Sequence, residues 1–268
     1  MIWMNGALVV EDAARIDPTD RGLTLGDGLF ETIRVADGKA VHLPRHLTRL
    51  RTSAAILAIP FKWSNDAIRT AIAQILAARS IADGVLRLTL TRGPSARGLL
   101  PTGPVSPTFL IQAGPLPPPA GPARVIVALS TRRNEWSPTS KLKSTNYLDN
   151  ILARQEAIQR GADDALLLNT AGRLAEATVA NFFVRIGGRL LTPLVADGAL
   201  PGIARALLIE RAQAEEAPLE INDLWRCDAA FLSNSLGLRA ISEIDMRPIE
   251  ASRDPIKLAD LSRLVQEE

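Results

Sequence analysis

The stretch Lys141-Leu142-Lys143-Ser144-Thr145-Asn146-Tyr147-Leu148-Asp149-Asn150, with Ile151-Leu152-Ala153-Arg154-Gln155-Glu156-Ala157 behind it, decides how the rest of the chain is read. A lysine becomes a nucleophile only when desolvation or neighbouring charge lowers its pKa. Two lysines two residues apart, just after an apolar strand and just before a helix, are candidates for that treatment, and Lys143 is taken as the reactive one. Alone, the pair reads more readily as solvated loop lysines, because strand-to-helix loops are often basic. The remainder of the sequence changes the balance.

Working outward, 268 residues with 47% hydrophobic and 22% charged side chains suffice for a large core near the size at which chains divide in two. The 31 basic and 29 acidic residues are interspersed, so no block points to a nucleic-acid or membrane partner. One cysteine, Cys227, excludes an internal disulfide framework and, with only His42 and His46 as histidines, argues against a structural zinc site. No metal is expected. Met1-Ile2-Trp3-Met4-Asn5-Gly6 lacks a basic segment followed by an apolar one, and no run approaches a membrane span, which predicts a cytoplasmic protein.

Asn5-Gly6 marks a hairpin within Met1–Val10. Gly26-Asp27-Gly28 leads into a strand, Leu29 to Val35, that ends at Asp37-Gly38. Its period of two puts Phe30, Thr32 and Arg34 on one face and Leu29, Glu31, Ile33 and Val35 on the other. The mixed face suits either a polar pocket or the solvent side of an edge strand. Helical spacing follows over Pro44–Leu57, carrying Arg45, Arg49 and Arg51, and over Ser64–Arg79 with Ser64 or Asn65 as cap. Gly84–Arg92 and Pro107–Ala113 read as strands flanking a Gly- and Pro-rich binding loop that carries Arg97.

Gly114-Pro115-Leu116-Pro117-Pro118-Pro119-Ala120-Gly121-Pro122 is too proline-rich for a core element. It divides a small N-terminal part, 1–113, from a larger one, 123–268, expected to hold the lysines. The second part reads as a strand at Ala123–Leu129, a helix at Asn146–Arg160, strands at Asp164–Leu168, Asn181–Ile186, Arg189–Thr192 and Ala229–Leu232, a helix from Gly202 to about Ala214 and a helical tail. Strands in runs predict α+β rather than a doubly wound sheet.

Three features suit a ligand with a carbonyl, a ring nitrogen and a phosphate. Lys143 offers an amine. Glu176 is a carboxylate in small, apolar company, where an ionised group needs a cationic partner, although a solvated loop position or a pair with Arg173 fits as well. Pro201-Gly202-Ile203-Ala204-Arg205 opens a helix on glycine, leaving the N–H groups of Ile203 and Ala204 for an anion.

Together, Gly26-Asp27-Gly28-Leu29-Phe30-Glu31, His46-Leu47-Thr48-Arg49-Leu50, Lys143-Ser144-Thr145-Asn146, Glu176 to Phe182, Pro201 to Arg205 and Ser233-Asn234-Ser235 resemble the class IV, fold-type IV pyridoxal-phosphate enzymes in order and spacing. That group contains D-amino-acid aminotransferase, branched-chain aminotransferase and aminodeoxychorismate lyase. The resemblance implies a two-domain fold with the active site between the domains, and a homodimer. It makes Lys143 the lysine that holds the aldehyde of pyridoxal 5′-phosphate and moves the substrate proton, with Lys141 a bystander. Glu176 is implied to pair with the ring nitrogen, Tyr147 to contact the phenolic oxygen, and Arg49, Ile203, Ala204 and Ser235 to bind the phosphate. Many relatives have threonine where this chain has Ala204, so one hydrogen bond is lost or replaced by water.

The family separates at the substrate pocket, to which the resemblance assigns Phe30, Thr32, Arg34, Arg97, Leu99 and Leu236. Phe30-x-Thr32-x-Arg34 is closer to aminodeoxychorismate lyase. Lys143-Ser144-Thr145-Asn146 and the Ser95–Pro101 loop are closer to the D-amino-acid enzymes, with Arg97 for the substrate carboxylate and Leu99 where a histidine is usual. The expectation is a transaminase acting on an amino acid and a 2-oxo acid with a D-like preference; the alternatives are the lyase, which releases 4-aminobenzoate and pyruvate, and an (R)-amine transaminase.

Overall fold

Asn5 and Gly6, both at positive φ, turn strand β1 (Ile2–Met4) back into β2 (Ala7–Val9), as a two-residue hairpin requires. The computed structural model describes residues 1–249 and 257–267, which pack as two units. The first is Met1–Pro117 with Leu142–Asn146, and the second is Pro118–Lys141 with Tyr147–Glu267.

The first unit continues with α1 (Arg21–Leu25), β3 (Gly28–Ala36), β4 (Lys39–Ala40), α2 (Leu43–Ile56), α3 (Asn65–Ala78), β5 (Gly84–Thr91) and β6 (Thr108–Gly114). Its six strands lie in the order β2-β1-β6-β5-β3-β4, every neighbour antiparallel. Pro44 sits in the first turn of α2, where a missing N–H costs nothing. The Ser64 hydroxyl accepts the Ala67 N–H at 3.1 Å to cap α3. Leu47, Leu50 and Ala54 of α2 and Ile68, Ile72 and Ile75 of α3 pack on Leu29, Ile33, Val35, Leu86, Leu88, Leu90, Phe109 and Ile111 of the sheet. The other face carries Phe30, Thr32 and Arg34, opposite Thr89, Arg87 and Val85 of β5.

The short segment Leu142–Asn146, which carries Lys143, packs with this first unit, whereas Lys141 and the residues from Tyr147 on belong to the second. Leu142 is buried in the first core, the Lys143 carbonyl accepts the Phe30 N–H at 2.9 Å, and the Thr145 N–H donates to Gly28 at 2.9 Å. The segment thus covers the edge of β3 that β5 leaves open, and satisfies its backbone groups. No strand directly precedes it: β7 (Ala123–Val127) ends well before, and only the 3₁₀ turn Pro138–Lys141 intervenes before the next helix.

After β7 the second unit adds α4 (Leu148–Gln159), β8 (Asp164–Leu168), β9 (Leu174–Ala177), β10 (Asn181–Ile186), β11 (Arg189–Pro193), α5 (Ile203–Ala212), β12 (Glu215–Ala217), α6 (Ile221–Leu224), β13 (Ala229–Asn234), β14 (Gly237–Ile244), β15 (Arg247–Pro248) and α7 (Leu258–Gln266). The sheet order is β12-β11-β10-β13-β14-β7-β8-β9, with β15 beside β14. It is mixed, with parallel pairs β11/β12, β14/β7 and β7/β8. Helix α4 buries only Asn150, Ala153 and Ala157, and those alanines join Ile126, Ala128, Ala165 and Leu167 in a thin core. Helix α5 packs beside the stacked Phe183 and Phe231 rings, 5.0 Å apart. The elements α1, β9, β12, α6, β14 and β15 were not expected from the sequence, and the all-antiparallel first sheet with the mixed second one matches the α+β expectation. Among the described residues no helix is long and apolar enough to cross a membrane, and no group of three or more His, Cys, Asp or Glu is placed to hold a metal.

Candidate active site

The two lysines differ in unit and in exposure. Lys141 is exposed at the end of its 3₁₀ turn, whereas Lys143 is half-buried. The Lys143 Nζ lies 4.5 Å from the centroid of the buried Phe30 ring. Arg87, opposite Thr32 on β5, places its guanidinium 3.9 Å from the same centroid. Two cations therefore share one aromatic ring, and a cation so placed is attracted to the ring face. Gly26 and Gly28 make the seat: a Cβ on Gly26 would lie 2.3 Å from Asn146 Oδ1, and one on Gly28 would lie 3.2 Å from Thr145 Oγ1. The Thr145 hydroxyl and the Asn146 amide both donate to the Gly26 carbonyl, at 2.7 and 3.0 Å.

On the opposite face of β3, Glu31 occupies an apolar position at 1% exposure. A carboxylate there needs charged partners. Arg49 supplies two contacts, Nε to Oε1 at 2.8 Å and Nη2 to Oε2 at 2.6 Å, and His46 approaches Oε2 with Nδ1 at 2.7 Å. Burial pushes the Glu31 carboxyl up, but the Arg49 charge and hydrogen bonds, joined by those of His46, outweigh it and bring it to about 2. Burial pushes the His46 imidazole down, more than Glu31 raises it, with Arg49 and Lys143 adding to the depression. His46 is thus neutral near pH 7 and donates its Nδ1 proton to Glu31. Arg49, assigned to the phosphate from the sequence, has two of its three nitrogens fixed by Glu31. Glu31 and His46 are members of the cluster that sequence reasoning left out, although a carboxylate between Leu29 and Ile33 in a strand of period two was the visible signal.

In the second unit Glu176 is buried on β9 between Ala175 and Ala177. Its cationic partner is Arg133, Nε to Oε1 at 3.1 Å, and Oε2 accepts the Leu200 N–H at 2.8 Å. Arg173, the alternative considered from the sequence, pairs instead with Asp197. Arg133 also donates to the carbonyls of Ser140 at 2.8 Å and Gly198 at 3.2 Å. No sequence signal marked it, because its partners are distant in the chain.

The turn after Leu200 delivers the start of α5. Gly202 is the N-cap and has no side chain to fold over the first turn, so the N–H groups of Ile203 and Ala204 lack a side-chain cap. A Cβ at Gly202 would meet Asn181 Oδ1 at 2.0 Å, and the Asn181 amide holds the Leu200 carbonyl at 2.8 Å. Ser235 and Leu236 form the half-buried turn between β13 and β14, with the Leu236 N–H on Asn234 Oδ1 at 2.9 Å. Tyr147 is half-buried at the N-cap of α4.

Thr32 and Arg34 are half-buried on the Phe30 face of the first unit, while Arg97 and Leu99 are exposed on the loop between β5 and β6. Each unit by itself carries groups whose chemistry fits a part of pyridoxal phosphate: in the first a half-buried amine over an aromatic ring, in the second a buried carboxylate paired with an arginine and a glycine-opened helix start that a Cβ would close.

The description "Amino-transferase class IV" is that of the family model matching residues 28–244. The aminodeoxychorismate lyase of Bacillus subtilis (strain 168) is 31% identical over 244 residues, covering 88% of this chain and 83% of its own. The D-alanine aminotransferase of Listeria innocua is 28% identical, covering 95% and 91%. Among solved structures, the branched-chain aminotransferase of the archaeon Thermoproteus uzoniensis with norvaline superposes with a TM-score of 0.90 at 28% identity, over 100% of this chain and 95% of that one. Another branched-chain amino acid aminotransferase, solved with pyridoxamine 5′-phosphate, superposes with a TM-score of 0.88 at 26% identity, over 99% and 92%.

Proposed function

Because the chain belongs to the class IV aminotransferase family, we propose that it binds pyridoxal 5′-phosphate and transfers an amino group between an amino acid, with a D-like preference, and a 2-oxo acid. The observation that carries this is the placement of Lys143, fixed by its backbone beside β3 with its amine over Phe30. Bound pyridoxal phosphate supplies an aldehyde and an electron-withdrawing ring. Lys143 would hold that aldehyde, and its free amine would move the proton at the substrate α-carbon. Glu176, paired with Arg133, faces the ring nitrogen, and Tyr147 the phenolic oxygen. The N–H groups of Ile203 and Ala204, the Ser235 hydroxyl and Arg49 bind the phosphate. Arg97 takes the substrate carboxylate with its two-pronged fork, and Phe30, Thr32, Arg34, Leu99 and Leu236 line the substrate. Exposed Leu148, Ile151, Leu152 and Ile158 on α4 favour at least a homodimer; a fully active monomer by light scattering contradicts that.

One observation favours a second reading. Arg34 and Arg87 lie on the same sheet face as Phe30, a cation density suited to a substrate with more than one carboxylate, as in aminodeoxychorismate. The half-reaction separates the two. D-alanine, L-leucine, (R)-1-phenylethylamine and aminodeoxychorismate are added singly, without oxo acid. Bleaching of a yellow band near ~420 nm to a persistent band near ~330 nm identifies a transaminase and its donor. Repeated release of pyruvate and 4-aminobenzoate from aminodeoxychorismate alone, with the yellow colour retained, identifies the lyase.

A further inference from the structure

The dipeptide Asp20-Arg21 has no part in the roles assigned above, yet it grips the whole loop that carries Arg97. Asp20, fully buried, accepts the hydroxyls of Thr91 and Thr108 at 2.9 and 2.7 Å. Those threonines end β5 and begin β6, so one carboxylate ties both ends of the loop. Arg21, 5% exposed, reaches its middle: Nη1 donates to the Gly98 carbonyl at 2.8 Å and Nη2 to the Leu99 carbonyl at 2.6 Å. Its third nitrogen, Nε, is held by Asp27 at 2.8 Å, and Asp27 is itself fixed by Arg92 at 2.7 Å. Burial pushes the Asp27 carboxyl up, but Arg92 and Arg21 outweigh it, so the anchor is ionised.

The carbonyls that Arg21 holds belong to the two residues directly after Arg97. Otherwise the loop is exposed from Ala96 to Leu100, and an unrestrained loop spreads its side chains over many positions. Only a planar guanidinium reaches two successive carbonyls and a carboxylate at once; an ammonium cannot span the same fork. We propose that Arg21 is a positioning residue that sets Arg97 for the substrate carboxylate, an inference that rests on the carboxylate role proposed for Arg97.

The test uses the full-length, cofactor-loaded enzyme, Arg21→Lys, Arg97→Ala and the double variant, with D-alanine and L-glutamate as donors. Native trypsin cleavage after Arg97 is followed in parallel. If Arg21 holds the loop, Arg21→Lys speeds that cleavage by about tenfold and raises donor KM by about tenfold with kcat within about twofold, as expected when uniform binding is lost. The double variant then binds donor no worse than Arg97→Ala, since contacts acting through one group are not additive. Unchanged cleavage and KM in Arg21→Lys overturn the inference, as does a double variant whose two effects add. If Arg21→Lys speeds cleavage while Arg97→Ala leaves KM untouched, the Arg97 reading has failed and the positioning role falls with it. Should Arg21→Lys not fold, the wild-type digest decides: an Arg97 bond resistant under native conditions supports the hold, and a prompt first cut there refutes it.

Discussion

The two units hold their charged groups in opposite ways. In the first, the buried ionic cluster of Glu31, His46 and Arg49 lies on the core face of β3, while Lys143 sits half-buried on the other, over Phe30. In the second, Glu176, the carboxylate proposed for the ring nitrogen, is itself the buried group, clamped by Arg133 and the Leu200 N–H. The difference suits the roles proposed for the two groups. A lysine proposed to move a proton needs a fixed backbone, which the pairing beside β3 provides. A carboxylate that balances a ring charge gains by not moving, because a preorganised charge costs no rearrangement during the reaction.

If this contrast is right, removing the lysine has the largest effect. Lys143→Ala, with an unchanged thermal melt, is expected to lose at least about a thousandfold in turnover, the scale of a lost covalent and proton-transfer group. Lys141→Ala should stay near wild type; equal losses in both would break the assignment.

Next in size is the buried cluster. Glu31→Gln leaves Arg49 without its counter-ion and is expected to cost about 3–5 kcal/mol in denaturant unfolding. The pH dependence has a definite sign. Glu31 has a depressed folded pKa, so its contribution is present above its unfolded value of 4.5 and is lost as pH falls towards about 2. His46 is depressed too, so the unfolded chain takes up its proton first and stability begins to fall as pH drops through 6.5. Unfolding midpoints that stay flat as pH falls from 6.5 to 4.5 would contradict the His46 reading, and midpoints that stay flat from 4.5 to about 2 would contradict the Glu31 one.

Gly202→Ala sharpens the other side of the comparison. The added methyl meets Asn181 at the start of α5, and cofactor affinity measured by fluorescence titration should weaken by about tenfold, near the value of one charge-assisted hydrogen bond. The smallest effect belongs to Cys227. Burial, then the Asp228 charge, pushes its thiol up to about 11, so labelling by iodoacetamide at pH 7.5 should run about a hundredfold slower than for an exposed thiol.

Much of this was legible in the sequence where the signal is local. The spacing of Leu47, Leu50 and Ala54 and the Ser64 cap located α2 and α3, and the Asn5-Gly6 turn located the first hairpin. Glu176 was singled out because a carboxylate among alanines is costly, but its partner Arg133 lies too far away in the chain for any pattern to link them. Arg87 is likewise invisible until β3 and β5 are in register. Strand β9 escaped notice because Leu-Ala-Glu-Ala has little β-propensity; its place is set by pairing with β8. The packing of the lysine stretch against the first unit depends on Leu142 filling that core, a long-range contact that a proline-rich boundary at 114–122 had masked.

The most direct measurement is to load the protein with pyridoxal phosphate, fix the cofactor with borohydride and map the modified peptide by mass spectrometry. The account predicts one pyridoxyl group, on Lys143. A pyridoxyl group on Lys141, or scattered over surface lysines with no preferred site, would contradict it.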